Sequence, residues 1–386
     1  MAIRIVLSSH DSAGLGHLRR NLALAHALAR GLDEPVSGLL IAGRPEAAEF
    51  EAPEGWDWLI LPGIERTATG YGARAIDAGL EELTRLRGRI VLSAVRAFAP
   101  DLVIVDRHPF GVERELAPAL HALRVERPGC RVVLGLRDVL DAPEVVQREW
   151  HAVGGVGALR SVLSAIWVYG DPRIHDLVGS GELPEELRHL VAHTGYLATG
   201  RHAGHAIEMQ APYVLTTVGG GVDGVELAAA AAAAPMPQGV AHLVVTGPQM
   251  PAEDRRRVRE AARPGVRVLR RVPDALPLMR RAEAVVSMGG YNTVCELMTT
   301  STPALVVPRA HRRAEQRLRA EALAAAGAVD ALREPPTPEA IGRWVAGAAG
   351  RRVAREGIDL DGLGVVPRLA AALLAARPQE VLRVAV

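Results

Sequence analysis

Short apolar runs alternate with stretches of helical periodicity along the whole chain. Such runs, rich in Val, Ile and Leu and bounded by helices, are typical of parallel strands that are covered on both faces. The pattern predicts an α/β protein with two Rossmann-like parallel sheets, one in each half. The predicted strands are 3–8, 38–42, 58–61, 102–106, 132–136 and 166–169 in the first half, and 213–218, 242–246, 266–270, 284–287 and 304–307 in the second.

The small and polar residues 199–204 separate the two sets of strands and mark the predicted domain boundary. A chain of 386 residues suits two domains, which we place at 1–200 and 201–386. The last helix can pack back on the first domain. An alanine run at 228–234 predicts a packed helix that ends at Pro235.

Composition and charge exclude several classes of function. The net charge of +1 argues against a nucleic-acid partner and gives no indication of peripheral membrane contact. All 45 basic residues are arginine, so the chain has no P-loop lysine, Schiff-base lysine or lysine base. Cys130 and Cys295 lie far apart, which disfavours a disulfide framework or a zinc site and fits a reducing compartment. No segment has the length of a membrane span, and residues 3–7 suit a strand better than a signal peptide, so we expect a cytoplasmic protein.

A glycine pair, Gly289 and Gly290, follows a predicted strand and opens a helix. Glycines let the backbone approach an anion closely, and Asn292 and Thr293 add side-chain donors beside the N–H groups of the first helical turn. Glu296 lies one turn deeper, where its carboxylate can accept both hydroxyls of a ribose. The alternative is a plain glycine turn in which Thr293 and Glu296 form a capping box. Spacing alone favours neither interpretation.

Two further strand ends carry candidate binding groups. Glu315 and Gln316 open a helix after the predicted strand 304–307, and adjacent polar residues at that place suit the hydroxyls of a sugar. Gly219 and Gly220 follow the strand 213–218, which predicts a strand–turn–helix phosphate cradle, although three glycines in a row are a weak signal alone.

The run from Gly289 to Gln316 resembles the donor-binding signature of UDP-sugar glycosyltransferases, including the plant secondary-product enzymes and the peptidoglycan N-acetylglucosaminyltransferase of family 28. Most closely, the whole chain resembles predicted bacterial glycosyltransferases related to family 28. Their pattern includes residues 289–293 and the opening motif from Ser9 to Asn21. This resemblance implies the GT-B fold, in which two Rossmann-like domains face an interdomain cleft.

Carried over residue by residue, the resemblance implies a donor site in the second domain. Asn292 and Thr293 would contact the donor phosphates, and Glu296 would bind the ribose diol. Glu315 and Gln316 would bind the hydroxyls of the donor sugar.

The resemblance also assigns backbone groups to the donor. Gly219, Gly220 and the pair at 289–290 would lie beside the diphosphate, and the segment around Val272 would read the uracil edge. Two departures from the family pattern concern the diphosphate. Met288 stands where the plant signature has a histidine, and the family 28 hinge arginine is missing, so its contact is lost or supplied by Arg201.

In the first domain, Gly16 and His17 follow the first strand and begin a helix. In similar enzymes the histidine of this element faces the interdomain cleft, and in several of them it serves as the base that deprotonates the acceptor hydroxyl. An imidazole that titrates near pH 6.5 suits that role. Asp106, at the end of strand 102–106, and Asp11 are the candidates to orient the ring. Two alternatives stay open: His17 only hydrogen-bonds phosphate, or His10 is the base.

These inferences lead to a metal-independent transfer of a sugar from a UDP-sugar to an unidentified acceptor, a hydroxyl or another nucleophile, and the resemblance implies that the transfer is inverting. No cofactor and no metal are expected, because the DxD-like Asp359 and Asp361 lie in a C-terminal loop that we interpret as surface. One alternative is an isomerase similar to the UDP-N-acetylglucosamine 2-epimerases, which share the fold and the donor site. The other is a nucleotide-sugar-binding protein without catalysis.

Overall fold

A computed structural model describes residues 2–10, 15–67, 70–201, 207–209, 212–309 and 314–376. The chain divides into two compact units. Unit 1 takes in Met1–Pro172, Asp176–Gly200 and Asp361–Val386, and unit 2 takes in Arg173–His175 and Arg201–Leu360. Among the described residues, no helix combines the length and the apolar character needed to cross a membrane.

Fifteen strands and twelve α-helices alternate along the described chain. The strands are β1 Ile3–Ser8, β2 Val36–Ala42, β3 Trp56–Ile60, β4 Ile64–Thr67, β5 Gly70–Ala73, β6 Leu102–Asp106, β7 Arg131–Arg137, β8 Ala165–Tyr169, β9 Val191–His193, β10 Tyr213–Thr217, β11 Ala241–Val245, β12 Val266–Leu269, β13 Ala284–Ser287, β14 Ala304–Val306 and β15 Asp330–Ala331. The helices are α1 Gly16–Gly31, α2 Leu80–Phe98, α3 Ala117–Glu126, α4 Pro143–Ala152, α5 Gly155–Val162, α6 Val225–Ala233, α7 Ala252–Ala261, α8 Leu276–Arg281, α9 Tyr291–Met298, α10 Glu315–Ala325, α11 Pro338–Ala348 and α12 Gly362–Ala375.

Each unit is built on one parallel sheet, and the predicted α/β fold is confirmed. Unit 1 has the strand order β3-β2-β1-β6-β7-β8-β9, with β4 and β5 forming a separate antiparallel pair. Unit 2 has the order β12-β11-β10-β13-β14-β15. All predicted strands are present to within two residues at each end. The predicted alanine helix is α6, which ends two residues before Pro235.

The central strands are apolar because helices cover both faces of each sheet. Every residue of β6 and β13 is buried, and each fully buried Val or Leu side chain contributes about 1.5–3 kcal/mol. The helix α12 belongs to unit 1, although it follows unit 2 in the sequence. It packs against α1, with the Pro367 ring beside Gly31, and Arg131 donates to the Leu373 carbonyl oxygen at its carboxyl end (3.1 Å).

The strand order of each sheet creates one topological switch point. In unit 1 the chain leaves β1 for β2 on one side and later returns to β6 on the other, so the loops after β1 and β6 diverge. The same reversal occurs in unit 2 between β10 and β13. Ligands of open parallel sheets bind beyond the carboxyl ends of the strands at such reversals. The two switch points are therefore the places to look for chemistry.

A buried histidine of unit 2 makes stability depend on pH. His242, on β11, lies with its Nε2 at 2.8 Å from the Thr216 hydroxyl, and burial lowers its pKa to about 4. The folded ring therefore stays neutral while the unfolded ring takes up a proton near pH 6.5. Between about pH 6.5 and 4 the unfolded state binds more protons than the folded state. The free energy of unfolding therefore decreases as the pH is lowered through this range, by about 3 kcal/mol for this group.

Urea titrations at several pH values between 7.5 and 4.5 measure this dependence. We expect His242→Gln, which keeps a hydrogen-bonding partner for Thr216, to be less sensitive to acid than the wild type. The matched control is His189→Gln, since His189 is exposed in unit 1 and should not change the pH dependence. Equal acid sensitivity of the wild type and His242→Gln would show that His242 does not couple stability to pH.

Candidate functional site

Two glycine loops meet at the switch point of unit 2, one after β10 and one after β13. Gly289 has φ of 75°, and a Cβ there would lie 2.5 Å from a methyl carbon of Val306, so only glycine suits the position. Gly290 is the residue that precedes α9. Gly219 has φ of 65°, and Gly220 accepts at its carbonyl oxygen from the N–H of Gln249 (2.9 Å).

The helix α9 begins directly after Gly290, and no side chain caps its N-terminus. Thr293 is the third residue of the helix rather than the residue before it, so Thr293 and Glu296 do not form a capping box. That alternative interpretation is wrong. Asn292 and Thr293 instead lie in the first turn, where backbone N–H groups lack acceptors within the helix and the helix dipole favours an anion.

Glu296 is buried one turn below the glycine pair and lies beside an arginine. Its side chain is 8% exposed, and Arg201 lies with Nη1 at 3.9 Å from Oε1. The same guanidinium donates from Nη2 to Oδ1 of Asn292 (3.1 Å). Arg201 thus joins the candidate phosphate and ribose residues, and a positive charge stands at the N-terminus of α9.

The candidate sugar residues begin α10 and contact the loop ahead of it. Gln316 accepts at Oε1 from the backbone N–H of Arg309 (3.1 Å). Glu315 accepts at Oε1 from the guanidinium of Arg309 (2.9 Å). Arg309 also reaches Asp223, in the loop after β10 (3.3 Å). The structure therefore brings the β10 loop and the start of α10 together through Arg309. Residues 310–313 lie outside the described residues.

Val272 is half-buried in the loop between β12 and α8, also at the carboxyl end of a strand. The loop is fixed beside it by Asp274, which accepts at Oδ1 from the N–H of Leu276 (3.0 Å). The DxD-like residues Asp359 and Asp361 are exposed, in agreement with the surface interpretation.

At the switch point of unit 1, the first turn of α1 meets the end of β6. Gly16 is the first residue of α1. Nδ1 of His17 lies 2.6 Å from Oδ2 of Asp106, and Arg20 donates to Oδ1 of the same carboxylate (2.5 Å). Nη2 of Arg20 also lies 2.8 Å from Nδ1 of His17. The structure thus pairs His17 with Asp106, whereas Asp11, the other candidate, lies outside the described residues.

The protonation of this cluster follows from its charges. Burial by itself would raise the pKa of Asp106, but the charge of Arg20 and the bonds from His17 and Arg20 hold that pKa well below its usual range. Burial lowers the pKa of His17, and Arg20 and Arg137 lower it further against the opposing effect of Asp106. At neutral pH the cluster therefore holds a carboxylate and a neutral imidazole. A contact of 2.6 Å to a carboxylate needs a hydrogen, so the proton lies on Nδ1 and Nε2 is left as a proton acceptor.

The ring of His10 lies beside that of His17, and the ring of His108 lies beside that of His10. The His10 ring lies 5.4 Å from that of His17 and 4.3 Å from that of His108, which follows Asp106 in the β6–α3 loop. Three non-glycine residues of this loop have positive φ, a strain that clusters at functional sites and costs about 1–3 kcal/mol each. They are Arg107 (66°), Glu113 (46°) and Arg114 (61°). Sequence reasoning missed His108 and Arg20, and the only available signal was their spacing from Asp106 and His17.

The sequence matches a family model only in the second half of the chain, whereas the structure is similar to known proteins over nearly its full length. Residues 217–341 match the family model of the glycosyltransferase family 28 C-terminal domain. No curated protein matches the chain in sequence. Solved structures similar over nearly the full length include CalG4, the calicheamicin glycosyltransferase, with 19% identity, coverage of 100% of this chain and 98% of that chain, and a TM-score of 0.59.

Two further structures share the fold. The glycosyltransferase VinC, solved in complex with dTDP, has 18% identity, 99% coverage of both chains and a TM-score of 0.57. A putative UDP-N-acetylglucosamine 2-epimerase from Listeria monocytogenes has 12% identity, covers 99% of this chain and 98% of that chain, and has a TM-score of 0.62. At these identities the likeness establishes the fold and leaves the reaction open.

The fold and these comparisons define a GT-B protein. Residues 217–341, which lie within unit 2, match the family 28 C-terminal domain.

Proposed function

We propose that the protein is a glycosyltransferase that moves a sugar from a UDP-sugar to a hydroxyl group of an acceptor. One observation carries the proposal. Glu296, Asn292 and Arg201 form a contiguous cluster beneath a glycine pair, at the switch point of the unit that matches family 28. A nucleoside diphosphate needs a carboxylate to accept from its ribose diol, and cations or N–H groups to bind its phosphates.

In this proposal unit 2 binds the donor. The diphosphate lies on the N-terminus of α9, near Asn292 and Thr293, and Arg201 adds its charge. Glu296 accepts from the ribose hydroxyls, which requires Arg201 to lie aside towards the phosphates. Backbone groups near Val272 meet the uracil edge, and the start of α10 meets the sugar hydroxyls.

Unit 1 supplies the base. Nε2 of His17 takes the proton of the acceptor hydroxyl as its oxygen forms a bond to the anomeric carbon of the donor sugar. The bond from that carbon to the phosphate oxygen breaks, and UDP leaves with both electrons. Asp106 stabilises the imidazolium that results, and attack opposite the leaving group inverts the anomeric configuration.

Nucleotide binding followed by product analysis tests the proposal. Calorimetric titration with UDP, dTDP, GDP and ADP should show preference for UDP, and UDP-sugars should release UDP only when an acceptor from a mixed panel is present. Interconversion of a UDP-sugar without acceptor would favour the epimerase alternative, in keeping with the Listeria structure. Tight UDP binding without turnover on any acceptor would favour a binding protein, and failure to bind any nucleotide would overturn the donor site.

We further expect transfer to be independent of divalent metal. Among the described residues, no three His, Cys, Asp or Glu side chains lie where they could hold an ion together, and Arg201 with the α9 N-terminus can meet the phosphate charge. Turnover should therefore be the same within about twofold with EDTA as with added Mg²⁺ or Mn²⁺. Loss of turnover in EDTA that manganese or magnesium restores would contradict this mechanism.

A further inference from the structure

The inner face of α1 begins with polar residues where a core helix normally has apolar ones. The stripe His17, Arg20, Asn21, Leu24 and Leu28 has helical spacing, and the last two belong to the core. Arg20 and Asn21 are each only 1% exposed. Arginine is almost never so buried without a charged partner, so its place here needs a specific reason.

The partner of Arg20 is the carboxylate that also contacts His17. Arg20 donates to Oδ1 of Asp106 (2.5 Å), and this leaves Oδ2 directed at Nδ1 of His17 (2.6 Å). Asn21 secures the neighbouring strand end, since its Nδ2 donates to the Ser9 hydroxyl (2.9 Å). Arg20 therefore fixes the Asp106 carboxylate through Oδ1, and Oδ2 is left to accept from His17.

Arg20 and Asp106 both lie within hydrogen-bond distance of Nδ1 of His17. Nη2 of Arg20 lies 2.8 Å from Nδ1 of His17, and both groups are donors once that nitrogen carries a proton. If Nδ1 accepted from Arg20, its lone pair would face the Asp106 carboxylate at 2.6 Å, which is repulsive. Nδ1 therefore carries the proton and donates it in a hydrogen bond to the ionised carboxylate, and Arg20 remains a positive charge beside a neutral ring.

We propose that Arg20 is a positioning residue for His17, and this rests on the proposed function. The guanidinium orients Asp106 so that the carboxylate fixes the Nδ1–H form of the ring. Its charge adds to the effect of burial, which keeps the ring neutral so that Nε2 can take a proton. Among the described residues, the groups that face His17 are Asp106 from β6, Arg20 from its own helix, Arg137 from β7 and His10 from the loop after β1. Arg20 contacts both members of the pair.

Nitrogen-15 NMR of histidine-labelled protein tests this role without an acceptor. His17→Gln assigns the His17 signals by their loss. In the wild type we expect a neutral ring at pH 7 with the proton on Nδ1. In Arg20→Gln the pKa of His17 should rise, because a like charge is removed while Asp106 remains. Arg20→Lys keeps the charge, so the pKa should rise less, and Arg19→Gln, an exposed neighbour on α1, should leave it unchanged.

Several results would overturn the assignment. A wild-type ring with its proton on Nε2 would contradict the tautomer, and an unchanged His17 pKa in Arg20→Gln would contradict the role of the charge. If Arg20→Gln does not fold, the wild-type tautomer and the Arg20→Lys titration decide. Once a donor and acceptor are known, the acid limb of kcat/KM in the Arg20 variants should move by the shift measured by NMR. If neither the wild type nor any variant shows turnover while the NMR results are as expected, the proposed function is refuted. Arg20 is then still the residue that fixes the tautomer and the pKa of His17.

Discussion

Replacing His17 with alanine should lower turnover by roughly 10²–10⁴-fold, the range expected for loss of a general base. The expectation rests on the position of its ring, which is fixed through Nδ1 by Asp106 and leaves Nε2 as the acceptor of a proton. Binding of UDP should change little, because the base acts on the acceptor. Steady-state rates of UDP release and calorimetric UDP titration measure the two quantities.

The pH dependence of the same reaction gives a second check. Because burial and the nearby arginines hold the pKa of His17 below 6.5, the neutral base persists at mildly acidic pH. The acid limb of kcat/KM should therefore have its midpoint below pH 6.5, and activity should fall as the pH falls through it.

An exposed histidine of the same unit provides the control. His151, on α4, should tolerate substitution by alanine without a change in rate. Loss of UDP affinity in His17→Ala with turnover otherwise intact would identify His17 as a phosphate ligand. His10, whose ring lies beside it, would then be the next candidate for the base.

Replacing Glu296 with glutamine should weaken UDP binding by roughly 10- to 150-fold. The carboxylate is buried at the donor switch point, and charge-assisted bonds to two ribose hydroxyls contribute about 1.5–3 kcal/mol. Glutamine has nearly the same shape but has one oxygen and no charge, so the fold should be retained. Calorimetric titration with UDP measures the loss.

Ribose discrimination separates diol recognition from a general effect of charge. The wild type should prefer UDP over 2′-deoxy-UDP, and Glu296→Gln should lose most of that preference. Glu226→Gln is the matched control, since Glu226 is exposed on α6 of the same unit and should leave both affinities unchanged. Equal affinity of the wild type for the two nucleotides would remove Glu296 from the ribose site.

The fold could be predicted from sequence because parallel strands are covered on both faces. This burial produces continuous apolar runs such as β6 and β13, which cannot be mistaken for loops. The strands that were missed lack that signal. In β4 only Ile64 is buried and three polar residues follow it, and β15 is two residues long. Such strands are defined by their neighbours in space rather than by their own composition.

The site could be predicted where its residues follow a strand directly, and only there. The glycine pair, Asn292 and Glu296 are contiguous with β13, so their order along the chain places them at its carboxyl end. Arg309 and Asp223 are 86 positions apart in sequence, and no local pattern relates them. Arg20 was missed for a different reason: on an exposed helix face an arginine needs no explanation, and the sequence does not say which face α1 buries.

The position of α12 in unit 1 affects the order in which the protein can fold during synthesis. Domains usually fold from the N-terminus as they leave the ribosome, at about 5–20 residues per second. Here unit 1 is interrupted by residues 201–360 and contains α12, which follows them. The 330 residues between α1 and α12 take roughly 16–66 s to synthesise at that rate, and the surface of α1 that α12 covers waits for that time. Unit 2, although second in the sequence, has its whole chain available first.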